Sequence, residues 1–121
     1  MNFRLKTSKK AGELLKELSN STGYTWNVLS RISVALSLKI AEQPEPVQDT
    51  LGVDINRNTM TGEYDYIYKA LITQHLGQAI SDDEYFPNLF NAHLERGIII
   101  LHGEYTLAGN TDRLLTNLFK L

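Results

Sequence analysis

The stretch that decides the fold lies near the start of the chain, where residues 2–41 read NFRLKTSKKAGELLKELSNSTGYTWNVLSRISVALSLKIA. Its first six residues alternate polar and apolar side chains, and a period of two residues is typical of a β-strand. The alternation predicts that Phe3 and Leu5 point inward and that Arg4 and Lys6 point outward. Such a short strand is not stable alone, so it must pair or pack against another segment.

Two predicted helices follow this strand. Thr7 or Ser8 can cap the first, and Gly23 is a suitable stop because glycine tolerates the left-handed conformation that ends many helices. The apolar residues of this helix recur at the i, i+3, i+4, i+7 spacing of one buried face: Ala11, Leu14, Leu15 and Leu18. Thr25 can cap a second helix that runs to about Ile40.

The second helix carries apolar side chains on two sides. Its main apolar face consists of Val28, Leu29, Ile32, Ala35 and Leu36, and a second ridge consists of Val34, Leu38 and Ala41. A helix that is apolar on two sides is buried on two sides, and the second cover is either another subunit or the rest of the chain. If it is another subunit, the predicted interface includes Gly23, Trp26, Val34 and Leu38.

The pattern is less regular in the middle of the chain. Residues 42–46, EQPEP, contain two prolines that stop the second helix and form a linker. Residues 53–56 are predicted to be extended, and residues 57–62 to be a polar loop. A third helix is expected over residues 63–80, with one apolar face formed by Tyr64, Tyr68, Leu71, Ile72, His75 and Ala79. Three tyrosines are interpreted as core and interface aromatics: Tyr64, Tyr66 and Tyr68.

The last third of the chain is also predicted to be mostly helical. Residues 81–84 form a capping box that opens a fourth helix, which bends or begins again at Pro87 and stops at Gly97. Residues 98–107 fit either a buried helix or a strand. The last helix begins near Thr111 and turns four side chains inward: Leu114, Leu115, Leu118 and Phe119.

Charge is divided unevenly along the chain. Residues 1–40 carry seven cations against two acids, a net of +5, whereas residues 41–121 carry five cations against twelve acids, a net of −7. The length of 121 residues suits one domain. We therefore predict a mainly α-helical single domain with a basic part at 1–41 and an acidic part at 47–121. The basic part suggests an anionic partner.

Composition excludes several classes of chemistry. The chain has no cysteine, so it cannot form a disulfide, a cysteine-ligated zinc site, an iron–sulfur cluster or a persulfide of its own. It has no glycine-rich phosphate loop and no nucleophile elbow. Its longest apolar run, residues 98–101, is far shorter than the ~20 residues of a membrane-spanning helix. We therefore expect a cytoplasmic protein that is not an enzyme, with no catalytic residue, metal or cofactor.

Histidines and one acidic run are weak candidates for a metal site. His93 and Glu95, with His102 beyond, match no compact ligand spacing. His75 lies in the apolar stripe of the third helix, as expected of a core histidine. The acidic run 82–84 lies at a predicted helix start, where carboxylates favour the helix dipole.

The order strand, helix, turn, helix is that of ribbon-helix-helix transcriptional regulators. In that arrangement two copies pair their strands into a ribbon that enters the DNA major groove. Here Arg4 and Lys6 would contact bases, the backbone amides of residues 25–27 would hold a phosphate, and Lys9 and Lys10 would add positive charge. A transcriptional regulator of this kind is therefore one alternative for the function of the protein.

Two stretches of the chain resemble a known family. The first consists of residues 3–11 (FRLKTSKKA), Leu14-Lys16-Leu18, Thr22-Gly23, residues 27–31 (NVLSR) and residues 35–38 (ALSL). The second consists of residues 56–59 (NRNT) and 62–65 (GEYD). With its length, these motifs make the chain similar to the DndE family of small DNA sulfur-modification proteins.

This resemblance implies a role in the bacterial system that replaces a non-bridging oxygen of the DNA backbone by sulfur, together with other modification proteins. It also implies a DNA-binding oligomer, expected to be a tetramer, with an affinity for nicked duplex and no established catalytic activity. The resemblance fixes no DNA-binding residue. Charge and placement suggest Arg4, Lys6, Lys9, Lys10, Lys16 and Arg31, with Lys39 as a further candidate.

Two further interpretations remain open at this point. Trp26 can stack on an exposed base at a nick, although an aromatic in the first turn of a helix more often packs in a core or an interface. The whole chain can also be a scaffold, whose acidic part docks the sulfur-transfer proteins and whose basic part is incidental.

Overall fold

The computed structural model describes residues 2–120. In chain order its elements are β1 (Arg4–Lys6), α1 (Lys9–Thr22), α2 (Trp26–Leu38), β2 (Asp54–Asn56), the one-turn helix α3 (Arg57–Met60), a 3-10 turn (Gly62–Tyr64), α4 (Asp65–Leu76), a π-type turn (Glu84–Leu89), α5 (Phe90–Ala108) and α6 (Thr111–Phe119). The predicted class, mainly α with a strand before two helices, is confirmed. Within this range, no helix has the length and apolar character needed to cross a bilayer.

The first strand pairs with a segment of its own chain. β1 and β2 are antiparallel, with Leu5 opposite Ile55, and both of these side chains are buried. Arg4 and Lys6 point outward, as predicted. The inward placement of Phe3 is wrong: its side chain is 60% exposed, because Phe3 lies at the end of the sheet, where its carbonyl accepts a hydrogen bond from the Arg57 amide but the described chain does not cover its ring.

The two helices after β1 begin and end largely where the sequence predicts. Ser8 caps α1, since its hydroxyl accepts a hydrogen bond from the Ala11 amide at 3.0 Å. Gly23 ends α1 in the left-handed conformation, with φ of 78°, and its amide donates to the Ser19 carbonyl. Thr25 precedes α2, although among the described residues its side chain forms no hydrogen bond to the helix amides.

The buried face of α2 differs from the predicted one. Serines occupy much of it, because α2 packs closely on α5 and small side chains permit that approach. The fully or nearly fully buried residues of α2 are Leu29, Ser30, Ser33, Val34, Leu36 and Ser37. Of the predicted main face, Val28 and Ile32 are only half-buried and Ala35 is exposed, while Ala41 of the predicted second ridge is also exposed.

The crossing of α2 and α5 explains why the fourth predicted helix does not end at Gly97. Gly97 does not stop a helix, because α5 continues through it from Phe90 to Ala108. A Cβ atom at this position would lie 1.7 Å from the Ser33 carbonyl oxygen, so only glycine allows the two backbones to come together. Residues 98–107, which fitted either a helix or a strand, are therefore helical. The fourth predicted helix does begin again near Pro87, since Phe86 has extended backbone angles.

Residues 57–62 are not the predicted polar loop. They contain α3, and the side chains of Arg57, Met60 and Thr61 are buried there. α4 is shorter than the predicted helix over 63–80 and buries mainly Ile72.

Several predicted inward side chains of the C-terminal half point outward. Within α4 and the turn before it, Tyr64, Tyr66 and Leu71 are exposed, so Tyr64 and Tyr66 are not core aromatics. Ala79, beyond the end of α4, is also exposed. In α6, Leu114 is buried but Phe119 is 93% exposed, because the described chain does not cover the last turn of that helix.

Candidate nucleic-acid interface

A groove runs along the outer face of the small sheet and is bordered by two of the predicted DNA-binding cations. Its volume is about 480 Å³. The lining residues are Arg4, Lys6, Pro46, Val47, Thr50, Pro87, Asn88 and Asn91. β1 contributes the cations, the proline-containing linker forms an apolar wall, and the start of α5 closes the far side.

The position of the two cations is fixed by the strand beneath them. Leu5, between Arg4 and Lys6, is fully buried, so alternation along β1 forces its neighbours outward. The Nδ2 atom of Asn91 donates to the Lys6 carbonyl at 2.9 Å. The Oδ1 atom of this buried asparagine accepts no hydrogen bond from the described residues. The cations are therefore presented by a fixed backbone.

Arg4 and Lys6 differ in their partners. The Nε atom of Arg4 lies 2.9 Å from Asp54 Oδ1, and both side chains of this pair are well exposed. An exposed pair of this kind contributes ~1 kcal/mol or less, so Arg4 can exchange the carboxylate for another anion. Lys6 forms no ion pair with any residue between 2 and 120. At least one full positive charge is thus available at the groove.

Lys9 and Lys10 lie in the first turn of α1, close to acidic residues. The Lys9 amide donates to Asp49 Oδ1 at 2.8 Å, and Lys10 lines a second hollow of about 370 Å³ together with Glu45, Asp49 and Glu95. Hydrogen bonds from the Leu51 and Lys9 amides lower the pKa of Asp49, which keeps this carboxylate charged. The two lysines therefore lie in a region of mixed charge.

The remaining predicted cations lie elsewhere on the surface. Lys16 shares a hollow of about 610 Å³ with Trp26, whose side chain is 36% exposed, and with Ser19, Asn20 and Thr25. Trp26 is therefore not a core residue, and its stacking and interface roles stay predictions. Gly23 is exposed in the turn before it. The structure does not place Lys16 in the groove of Arg4 and Lys6.

A third surface lies between α2 and α4 and is apolar. Its hollow, of about 380 Å³, is lined by Ala35, Leu38, Lys39, Tyr64, Ile67, Tyr68 and Leu71. Arg31 borders the adjoining hollow, and its Nε atom donates to the Asn27 carbonyl at 3.3 Å. Of the predicted interface residues, Leu38 belongs to this hollow. Val34 is fully enclosed by its own chain and offers no surface to a partner.

Arg57 is the main polar residue whose role the sequence analysis missed. Its guanidinium donates to both oxygens of Asp82 and both oxygens of Asp65, at 2.8–3.0 Å. It also lies over the rings of Tyr85 and Phe86, 5.2 and 4.9 Å from their centres. This arrangement joins α3, α4 and the segment before α5.

Comparison with known proteins identifies the family of this chain. The family model of DndE, described as DNA sulphur modification protein DndE, matches residues 4–109. The chain belongs to the DndE family. That match includes β1, the groove and the Arg57 cluster. A search of the curated proteins gives no significant match.

Two DndE crystal structures share the fold. One, from Escherichia coli B7A and involved in DNA phosphorothioation modification, has 22% identity and a TM-score of 0.66, covering 81% of this chain and 96% of that one. A DndE mutant involved in DNA phosphorothioation has 19% identity and a TM-score of 0.65, covering 85% of this chain and 99% of that one.

The second DndE-like stretch of the sequence has a clear structural use. Residues 56–59 and 62–65 supply Arg57 and Asp65 to the buried cluster. Hydrogen bonds from Arg57 lower the pKa of Asp82 to about 2 and keep it charged. The predicted capping box is confirmed beside it, because Ser81 and Glu84 exchange hydrogen bonds of 3.0 and 3.1 Å. In this DndE-family chain the stretch stabilises the scaffold that carries the groove.

The candidate metal ligands face different partners. His93 is fully buried, with Nδ1 2.8 Å from the Ser37 hydroxyl, and burial lowers its pKa to about 4. Glu95 accepts a hydrogen bond from Ser8 at 2.5 Å, and His102 Nε2 lies 3.2 Å from Glu17 Oε1. Across residues 2–120, no group of three histidine or carboxylate side chains is arranged to hold a metal ion.

His75 has hydrogen-bond partners, as predicted, but it is half-buried and is not a core histidine. Its Nε2 atom lies 2.6 Å from the Ile40 carbonyl, and its Nδ1 atom lies 3.0 Å from Gln43 Nε2. Its ring meets that of His93 edge to face at 4.9 Å. Both ring nitrogens thus bind the segment that follows α2.

Proposed function

We propose that this DndE-family protein is a non-catalytic, self-associating component of the DNA phosphorothioation machinery of the cytoplasm, and that it holds the DNA backbone through the basic residues of β1 and α1. The observation that carries this proposal is the Arg4–Lys6 groove. Two cations stand on the same face of a fixed strand, and Lys6 has no ion-pair partner among the described residues.

Backbone binding suits this groove better than base reading. Phosphates are contacted through Lys and Arg independently of sequence, with strong dependence on salt. A ribbon-helix-helix regulator needs β1 free to pair with the same strand of a second copy. Here β1 pairs with β2, and the Lys6 carbonyl is bonded to Asn91. We therefore favour a backbone binder over a regulator, and include a preference for nicked duplex in the proposal.

The proposed absence of catalysis rests on the composition. A chain without cysteine cannot carry the sulfur atom as a persulfide. Sulfur activation and transfer would then belong to partner proteins, while this chain holds the DNA and assembles with them.

Self-association is supported by the apolar hollow between α2 and α4. Ile67 and Leu71 are large apolar side chains exposed there, and exposed apolar patches of this kind commonly mark contact surfaces. We propose that copies of the chain meet at this surface, in a tetramer.

The test is a binding titration against intact duplex, nicked duplex and single strands of several unrelated sequences, at two salt concentrations. We expect affinity that ignores sequence, falls steeply with salt and is highest for the nick. Lys6→Glu should weaken binding about tenfold or more, whereas Lys120→Glu, with the same charge change at an exposed position just after α6, should weaken it much less. A single preferred sequence would support the regulator. If the protein binds no DNA but still assembles with the other modification proteins, the remaining hypothesis is that it is a scaffold.

A further inference from the structure

The Arg4–Lys6 groove combines two kinds of wall. Its lining includes the positive side chains of Arg4 and Lys6 and the apolar side chains of Pro46, Val47 and Pro87. Val47 and Pro87 are half-buried, so each still offers a surface to a ligand. A cationic strand alone would suit any phosphate. The apolar wall beside it needs a further explanation.

A phosphorothioate differs from a phosphate in a way that such a wall can detect. Both linkages carry one negative charge, so cations attract them equally. The non-bridging sulfur is larger and more polarisable than oxygen, and it accepts weaker hydrogen bonds from water. Moving it from water against an apolar surface is therefore easier than moving an oxygen.

We propose that this groove binds a phosphorothioate linkage of DNA in preference to an unmodified one. The non-bridging oxygen, which is the stronger hydrogen-bond acceptor, contacts Lys6 and Arg4, and the sulfur lies against Val47 and the neighbouring prolines. The inference rests on the proposed function, because it needs a DNA backbone in this groove. It gives the protein affinity for the product of the modification.

Acidic residues around the groove restrict where the backbone can lie. Asp54 already pairs with Arg4. Beyond Pro46 and Val47, which border both hollows, the second hollow contains Glu45, Asp49 and Glu95, which repel a phosphate chain. An anionic linkage is therefore held at the Arg4–Lys6 end, next to the apolar wall.

The test compares duplexes of one sequence that carry a phosphate, an Rp phosphorothioate or an Sp phosphorothioate at one position. We expect the wild-type chain to bind one diastereomer about fivefold more tightly than the unmodified duplex, as burial of a few tens of Å² of weakly hydrated surface would give. Val47→Thr keeps the side-chain volume but replaces a methyl group by a hydroxyl, so the ratio of the affinities for the phosphorothioate duplex and the unmodified duplex should fall to about one. Val28→Thr, outside the groove, should retain the preference.

The outcomes separate the two proposals. Equal wild-type affinity for all three duplexes would overturn the inference and leave DNA binding standing. A preference that survives in Val47→Thr would overturn the assignment to this groove. No binding of any duplex would overturn the proposed function and this inference with it. Circular dichroism melts of each variant check that the fold is kept.

Discussion

Arg57 and Asp82 form a two-pronged ion pair, in which Nη1 lies 2.8 Å from Oδ2 and Nη2 lies 2.8 Å from Oδ1. The Arg57 side chain is only 7% exposed, and the same guanidinium also binds Asp65. A buried charge of this kind is tolerated because its hydrogen bonds are satisfied by carboxylates on both sides. The pair fixes the segment before α5 to the segment after β2, on which the groove depends.

Removing this guanidinium should be costly to the fold. Arg57→Met leaves Asp65 with no cation among the described residues and Asp82 with only Lys69, whose Nζ atom lies 3.6 Å from Oδ1, and we expect a loss of about 3 kcal/mol in the free energy of unfolding. Arg4→Met, which removes an arginine from an exposed pair, should cost less than about 1 kcal/mol. Urea denaturation of the two variants measures both values. Similar losses for both would contradict a structural role specific to Arg57.

Burial of His93 should make the protein less stable in mild acid. Burial, with smaller effects of His75 and Arg96, lowers the pKa of His93 from 6.5 to about 4. Between these values the unfolded chain binds a proton that the folded chain does not, so the free energy of unfolding falls as the pH is lowered from about 6.5 towards 4. Below about 4 this effect is complete.

Urea midpoints at several pH values between 7 and 4 test this expectation. His93→Gln can still accept a hydrogen bond from Ser37, and should be less sensitive to pH over this range than the wild type. An unchanged pH dependence in His93→Gln would show that another group is responsible.

Two glycines of α5 should respond in opposite directions to the same substitution. Gly97→Ala places a methyl group 1.7 Å from the Ser33 carbonyl oxygen and forces α2 and α5 apart, so we expect a loss of about 1–3 kcal/mol. At Gly103 the added carbon meets no atom of the described chain within 4 Å, and Gly103→Ala should stabilise the helix by about 0.5–1 kcal/mol. Thermal melts decide the signs, and a stabilised Gly97→Ala variant would contradict the close crossing.

The local parts of this fold could be predicted from sequence, and the long-range parts could not. The outward placement of Arg4 and Lys6, a cap at Thr7 or Ser8 and the stop at Gly23 depend on neighbouring residues, and the structure confirms them, with Ser8 as the cap. The predictions for Gly97 and Arg57 are wrong because the roles of these residues depend on Ser33 and Asp82, which lie far away in the chain. A lone arginine with two aspartates downstream was the available signal for the cluster.

The candidate site was predictable in charge but not in shape. Arg4 and Lys6 were placed outward correctly, whereas nothing in the local pattern showed that the linker would bring Val47 and Pro46 beside them. In the sequence, Lys16 and Arg31 belong to the same basic region as Arg4 and Lys6. In three dimensions α1 and α2 carry them to other hollows.

The hollow between α2 and α4 should control self-association. Ile67→Lys places a charge among exposed apolar side chains of α4, and we expect it to lower the solution mass measured by light scattering while the circular dichroism spectrum stays unchanged. Leu107→Lys makes the same kind of change at an 84% exposed position of α5, outside the hollow, and should leave the mass unaltered.

A wild-type chain that is monomeric at all concentrations, or an Ile67→Lys variant with the wild-type mass, would show that copies do not meet at this surface. A lower mass accompanied by weaker binding to nicked duplex would further indicate that several copies grip one DNA molecule, since linked sites raise the overall affinity without new contacts.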